Sequence, residues 1–196
     1  MNAITLLKTD HGNVDALFKQ FEALGRDGDP TEKRRVVDHI IEQLSVHASV
    51  EEQLVYPALR EKLEDDFPIL EALEEHHVAK ATLAEIEKLV PTNERFDAKV
   101  SVLIESVRHH VEEEEQDVFE MLRVHFSATE LEELGDAMEK AKKTAPTRPH
   151  PLTPDQPPLQ TLIAMPVAVL DKLLVTGRKT VLDVLEQVAN RGKKAA

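Results

Sequence analysis

Apolar positions recur along the first 125 residues at steps of three and four. Ile4, Leu7, Val14, Leu17, Phe18, Phe21 and Leu24 form one series, the stripe that a helix of 3.6 residues per turn buries along one face. Gly25, Gly28 and Pro30 break it. Val36, Ile40, Leu44, Leu54 and Leu63 predict a second helix of about 30 residues, with Pro57 kinking it or tightening a turn. A third is expected from about Pro68 to Leu89, with Pro68 in its first turn and Pro91 closing it. A fourth should run from roughly Asn93 to His125, carried by Val100, Leu103, Ile104, Val107, Val111, Val118, Phe119 and Leu122. Ser127-Ala128-Thr129-Glu130 reads as the cap of a short fifth helix through about Lys140. Strand-like alternation is absent. Four long amphipathic helices with short connections predict an all-α chain, an antiparallel four-helix bundle.

The bundle looks duplicated. The stretch ending Leu6-Leu7-Lys8-Thr9-Asp10-His11 resembles Leu70-Glu71-Ala72-Leu73-Glu74-Glu75-His76, 65 residues on. His47-Ala48-Ser49-Val50-Glu51-Glu52-Gln53 resembles His110-Val111-Glu112-Glu113-Glu114-Glu115-Gln116, 63 residues on. Two similar helical hairpins can pack as a pseudo-symmetric bundle.

Beyond the fifth helix the character of the chain changes. Six of the thirteen residues from Pro146 to Pro158 are proline, which forbids helix and predicts an extended linker. The expected organisation is a bundle over 1–143, a Pro-rich linker over 144–158 and an amphipathic helical tail over 159–196. The tail carries Leu162, Ile163, Val167, Leu170, Leu173 and Leu174, then Val181, Leu182, Val184, Leu185 and Val188, with basic ends. A hairpin docked on the bundle or a sister subunit competes with attachment to an acidic partner or an anionic membrane surface, and with disorder broken by occasional helix.

Charge sharpens the division. The 196 residues carry a net charge of −13; the part from Lys140 onward has ten Lys/Arg against four Asp/Glu, which leaves −19 for residues 1–139. That argues against nucleic acid as a partner. With no cysteine there is no disulfide, thiolate metal site, Fe–S cluster or cysteine nucleophile, a composition compatible with a reducing cytoplasm. The first residues become polar too soon for a signal peptide, and no run of about 18 apolar residues predicts a transmembrane segment.

Nine histidines remain to be explained. His47 and Glu51 are four apart and share a helix face. Ile40, Leu44 and Leu54 stand at −7, −3 and +7 from His47, so both residues point inward. Leu103, Val107 and Val118 do the same for His110 and Glu114. His11 sits in the stripe of Leu7, Val14 and Phe18, and His76 in that of Leu73, Ala79 and Leu83. An unpaired inward carboxylate costs several kcal/mol. Metal binding removes that cost, since imidazole and carboxylate both ligate first-row transition metals. Four His and two Glu are too many donors for one tetrahedral zinc; they suit two metals bridged by the carboxylates, with a position left for a small ligand.

The ordered set, Asp10-His11, His47-x-x-x-Glu51, Glu75-His76 and His110-x-x-x-Glu114, resembles the hemerythrin-like domains, also called HHE cation-binding domains, over about residues 1–125. The run Glu51-Glu52-Gln53-Leu54-Val55-Tyr56-Pro57 is typical of them too. The resemblance implies a non-haem di-iron centre, two oxo- or hydroxo-bridged iron ions ligated by His11, His47, Glu51, His76, His110 and Glu114. The oxygen-carrying members have a further histidine four residues from the third-helix ligand; Ala72 and Lys80 occupy those places here. The expected function is therefore binding or sensing of dioxygen, nitric oxide, peroxide or iron itself. The alternatives are an enzyme that decomposes hydrogen peroxide and passive metal storage.

His77 is the alternative to His76, but the alignment of the repeats favours His76. His109 is expected at the surface or boundary, Glu112, Glu113, Glu52 and Glu115 on the solvated face, and His39 and His125 in structural roles away from the ligand positions. Tyr56 is expected in core packing, and His150 in the linker. Proton donors for a peroxide reaction are limited to Glu52, Glu115, Tyr56 and His77.

Overall fold

The computed structural model describes residues 1–150, and among these there is no strand. The helices are α1 (Ala3–Leu24), α2 (Pro30–Val50), α3 (Tyr56–Arg60), α4 (Phe67–Lys88), α5 (Phe96–Glu113), α6 (Phe119–His125) and α7 (Ala128–Lys142). A single π-helical turn, Glu51–Val55, joins α2 to α3, and another, Glu114–Val118, joins α5 to α6. The four long rods of the sequence reading are thus α1, α2–α3, α4 and α5–α6. The rest of the linker and the expected tail, from residue 151, lie outside the described residues. Among the described residues no helix is long and apolar enough to cross a membrane.

The starts follow local chemistry. Asn2 and Asp29 accept hydrogen bonds from backbone N–H groups in the first turns of α1 and α2. Ser127 and Glu130 form the reciprocal capping box expected for α7. Short connections reverse the chain between rods, so consecutive rods run antiparallel. Around the bundle the order of neighbours is α1, α2, α4, α5 and back to α1, while α7 packs outside against α1 and α2.

The core fills the half of the bundle nearest the 25–29 and 89–95 connections. Phe18, Phe21, Ile40, Ile41, Leu83, Ile86, Phe96, Val100 and Leu103 interlock there, and their burial supplies most of the drive to fold. Leu7, Leu59, Ile69, Phe119 and Leu122 are buried at the other end. The inward polar residues lie between these two apolar layers.

The π turns were not legible in the spacing. In each, an amide bonds five residues back rather than four: the Tyr56 N–H donates to the Glu51 carbonyl, and the Phe119 N–H to that of Glu114. One extra residue shifts the downstream register by about 100°. Val55, Tyr56 and Leu59 therefore face the core after Glu51, as Val118, Phe119 and Leu122 do after Glu114. Pro57 belongs to the break, but the same turn forms in the second repeat without proline.

Candidate metal centre

All six inward residues meet at one level of the bundle. His11, His47, Glu51 and Glu114 form one group, and Glu51, His76 and His110 a second, with the donor atoms of each group within 4.8 Å of one another. Glu51 is common to both. Glu51 and Glu114 are 0% and 1% exposed, and the four imidazoles are buried as well.

Each imidazole presents Nε2 to this level. His11 Nε2 lies 3.1 Å from Glu114 Oε2, and His47 Nε2 3.1 Å from Glu51 Oε2. His76 Nε2 lies 3.4 Å from Glu51 Oε2 and 3.1 Å from His110 Nε2. His110 Nε2 is 4.0 Å from Glu114 Oε2. Yet among the described residues no donor is aligned on any of the four carboxylate oxygens, and His11 Nε2 likewise has no hydrogen bond. Buried polar atoms are nearly always satisfied. Imidazole nitrogens converging at these distances on four carboxylate oxygens that lack hydrogen bonds are what a bound cation, or a pair of them, would satisfy. The donor set therefore suits first-row transition metals.

The opposite nitrogen of each ring faces a carboxylate. His11 Nδ1 is 2.9 Å from Glu115 Oε1, His76 Nδ1 3.1 Å from Glu52 Oε1, and His110 Nδ1 2.7 Å from Glu75 Oε2. His47 Nδ1 is 3.8 Å from Asp10 Oδ2, beyond hydrogen-bond reach. Carboxylates in this position hold the proton on Nδ1 and aim Nε2 at a metal. They obey the pseudo-symmetry: Asp10 and Glu75 precede His11 and His76, while Glu52 and Glu115 follow the inward glutamates. This corrects the expectation that Glu52 and Glu115 lie on a solvated face. The missed signal was the acidic residue repeated beside each motif in both halves. Lys80, buried on α4 one turn past His76, anchors Glu52 at 2.9 Å. Lys142 from α7 pairs with Asp10.

Environment sets the protonation. Burial, reinforced by repulsion from Glu114, raises the Glu51 carboxyl well above its ordinary range. Burial also opposes ionisation of Glu114, but its contacts with His11 and with Glu51 outweigh this and pull it down. Two carboxyls buried this close resist being ionised together, and Glu51 is the one pushed up. Burial holds His47 below its ordinary value and lowers His76 to about 4. For His11 burial acts downward too, but Glu114 and Glu115 outweigh it and raise the ring. Ligation needs both carboxyls ionised, so binding of a dication tightens as pH rises. Loading the metal-free protein in weak buffer with an indicator dye should release about one proton or more per chain. No release would mean both carboxyls are already ionised.

The remaining histidines are placed elsewhere. His77, His39, His125 and His150 are exposed, and His109 pairs on the surface with Glu113 at 3.3 Å. His39 and His125 thus hold no place in the packing. Tyr56 is buried as expected, and its ring also lies 5.4 Å from that of His76, with the hydroxyl 3.4 Å from His76 Nε2. Its counterpart Phe119 stacks on His11 at 5.9 Å. Beside the four histidines lies a largely apolar cavity of about 30 Å³, walled by Val14, Leu44, Leu83 and Val107. That is room for a molecule the size of water or a diatomic.

Residues 2–122 match the family model of the hemerythrin HHE cation binding domain. An uncharacterized hemerythrin-like protein of Schizosaccharomyces pombe is 29% identical over 168 residues, which is 81% of this chain and 83% of that protein. A DNA nickase of Nostoc is 27% identical over 142 residues, 72% of this chain but only 39% of the nickase, so the chain spans about two fifths of that relative. The crystal structure of a hemerythrin HHE cation binding domain-containing protein from Mycobacterium kansasii superposes with a TM-score of 0.62, covering 74% of this chain and 86% of that one at 23% identity. The likeness to the crystal structure is one of fold.

Proposed function

The chain belongs to the hemerythrin HHE cation-binding family, and from that premise we propose that it holds two non-haem irons and binds or senses a small ligand at them. His11, His47, Glu51 and Glu114 would hold one ion, and Glu51, His76 and His110 the other. Glu51 would be shared between them. Two irons so held would supply two one-electron redox equivalents and a coordination position open to dioxygen, nitric oxide or peroxide. The observation that carries the reading is the pair of donor groups joined through Glu51, with all four glutamate oxygens buried and unbonded.

The protein's own part is orientation, charge and exclusion. Glu52, Glu75 and Glu115 fix three rings by their Nδ1 atoms. Together with Asp10 they surround the cations with negative charge and reduce the cost of burying them. The apolar cavity admits a small neutral molecule and resists bulk water. Stopped-flow spectra of the iron-loaded protein mixed with nitric oxide or dioxygen should show new visible bands that reverse on removal of the gas. No spectral response to either gas would contradict a ligand-binding role and favour passive storage.

One observation favours a second reading, peroxide consumption. The two halves of the site differ where Tyr56 replaces Phe119, which places a phenol beside His76 Nε2 alone. Burial, then repulsion from Glu51, raises that phenol well above its ordinary range, so it stays protonated and can donate at the site. In this reading Tyr56→Phe loses peroxide turnover while keeping gas binding. Equal turnover in both proteins would exclude Tyr56 as donor.

A further inference from the structure

The apolar cavity suits a neutral ligand but not a hydrated cation, which must reach a buried centre some other way. A second cavity, of about 70 Å³, opens between α4 and the α5–α6 rod. Glu71, Glu75, Glu113 and Asp117 line it, and buried His110 and Glu114 stand at its base. Glu71, Glu113 and Asp117 are exposed, and among the described residues no Lys or Arg is paired with any of them. Glu75 and Glu113 also bring donor atoms together with His109 at the surface, all within 4.8 Å. The base supplies an independent sign of a ligand: Glu114 is 1% exposed, faces both this cavity and the centre, and has neither oxygen hydrogen-bonded.

The pseudo-symmetry sharpens the contrast. The positions equivalent to Glu71, Glu113 and Asp117 in the first repeat are Leu6, Val50 and Leu54, all buried. There α7 packs over α1, α2 and the first π turn. One groove of the duplicated bundle is thus apolar and sealed, and its twin is acidic and open.

We propose that the groove between α4 and the α5–α6 rod is the uptake route for a divalent cation, with Glu71, Glu75, Glu113 and Asp117 capturing the ion and Glu114 receiving it. The proposal rests on the reading that the six inward residues bind metal. A focused negative potential raises cation on-rates by about 10–10³-fold and fades with salt. Glu75 already holds His110, so the test leaves it in place. Metal-free full-length protein is mixed with Co²⁺, and uptake is followed by the visible absorption of the bound ion. The triple variant Glu71→Gln, Glu113→Gln, Asp117→Asn should load about tenfold more slowly or worse at low salt, reaching the wild-type number of ions per chain. A charge-matched variant of exposed residues elsewhere, Glu105→Gln, Glu132→Gln, Glu133→Gln, should load at the wild-type rate. Wild-type loading by the groove variant would overturn the proposal, as would equal slowing in both variants. A lower final occupancy at an unchanged rate would also overturn it, by making these residues ligands. Failure of wild-type protein to bind Co²⁺ would instead defeat the underlying reading, and the route with it.

Discussion

Glu51→Ala protein is expected to bind well under about one metal ion per chain after iron loading and desalting, against two for the wild type, because Glu51 is the donor common to both groups. Glu114→Ala should also lose metal, since Glu114 belongs to one group and lies near His110 of the other. Glu113→Ala, adjacent in sequence but exposed, should keep full occupancy. The comparison separates an inward donor from ordinary acidity, because each substitution removes one carboxylate from a strongly acidic bundle. Equal losses at positions 113 and 114 would mean that the face assignment is wrong.

The same residue should carry the opposite sign in stability. In the metal-free state Glu51 is a wholly buried carboxyl with both oxygens unbonded. A buried polar group without a hydrogen bond costs about 1–3 kcal/mol, and an apolar side chain of similar volume removes that cost. Metal-free Glu51→Met is therefore expected to unfold at higher urea concentration than metal-free wild type, although it no longer holds metal. The pH dependence follows from the raised Glu51 carboxyl. A group whose folded pKa lies above its unfolded value contributes stability that is complete below the unfolded value and is lost as pH rises through the folded one. The advantage of Glu51→Met should accordingly widen from about pH 5 upward. A metal-free Glu51→Met protein less stable than wild type at every pH would show that Glu51 is a satisfied structural residue.

These two results separate what the sequence could reveal from what it could not. His47 and Glu51 were legible because a spacing of four and an apolar stripe at −7, −3 and +7 define a face before any tertiary contact forms. His110 and Glu114 were legible by repetition. The fold followed from the same periodicity. The π turns escaped because an i→i+5 bond has no residue signature: Pro57 marks one turn and nothing marks the other. Glu52 and Glu115 were placed on the solvated face because a straight helix turns them about 100° from the inward glutamates. What decides their role is the neighbouring rod, since Glu52 meets His76 of α4 and Glu115 meets His11 of α1. Lys80 was likewise visible only as a missing histidine, and its anchoring of Glu52 is a cross-rod contact. The sealing of one groove by α7 depends on docking that a local pattern does not encode.

The proposed dinuclear site unites all six inward residues. Its most direct test is metal analysis of full-length protein loaded anaerobically with ferrous iron and freed of excess, together with its visible spectrum in air. Two iron ions per chain and absorption from a coupled iron pair are expected. A saturating content of one or fewer ions per chain would contradict a dinuclear site.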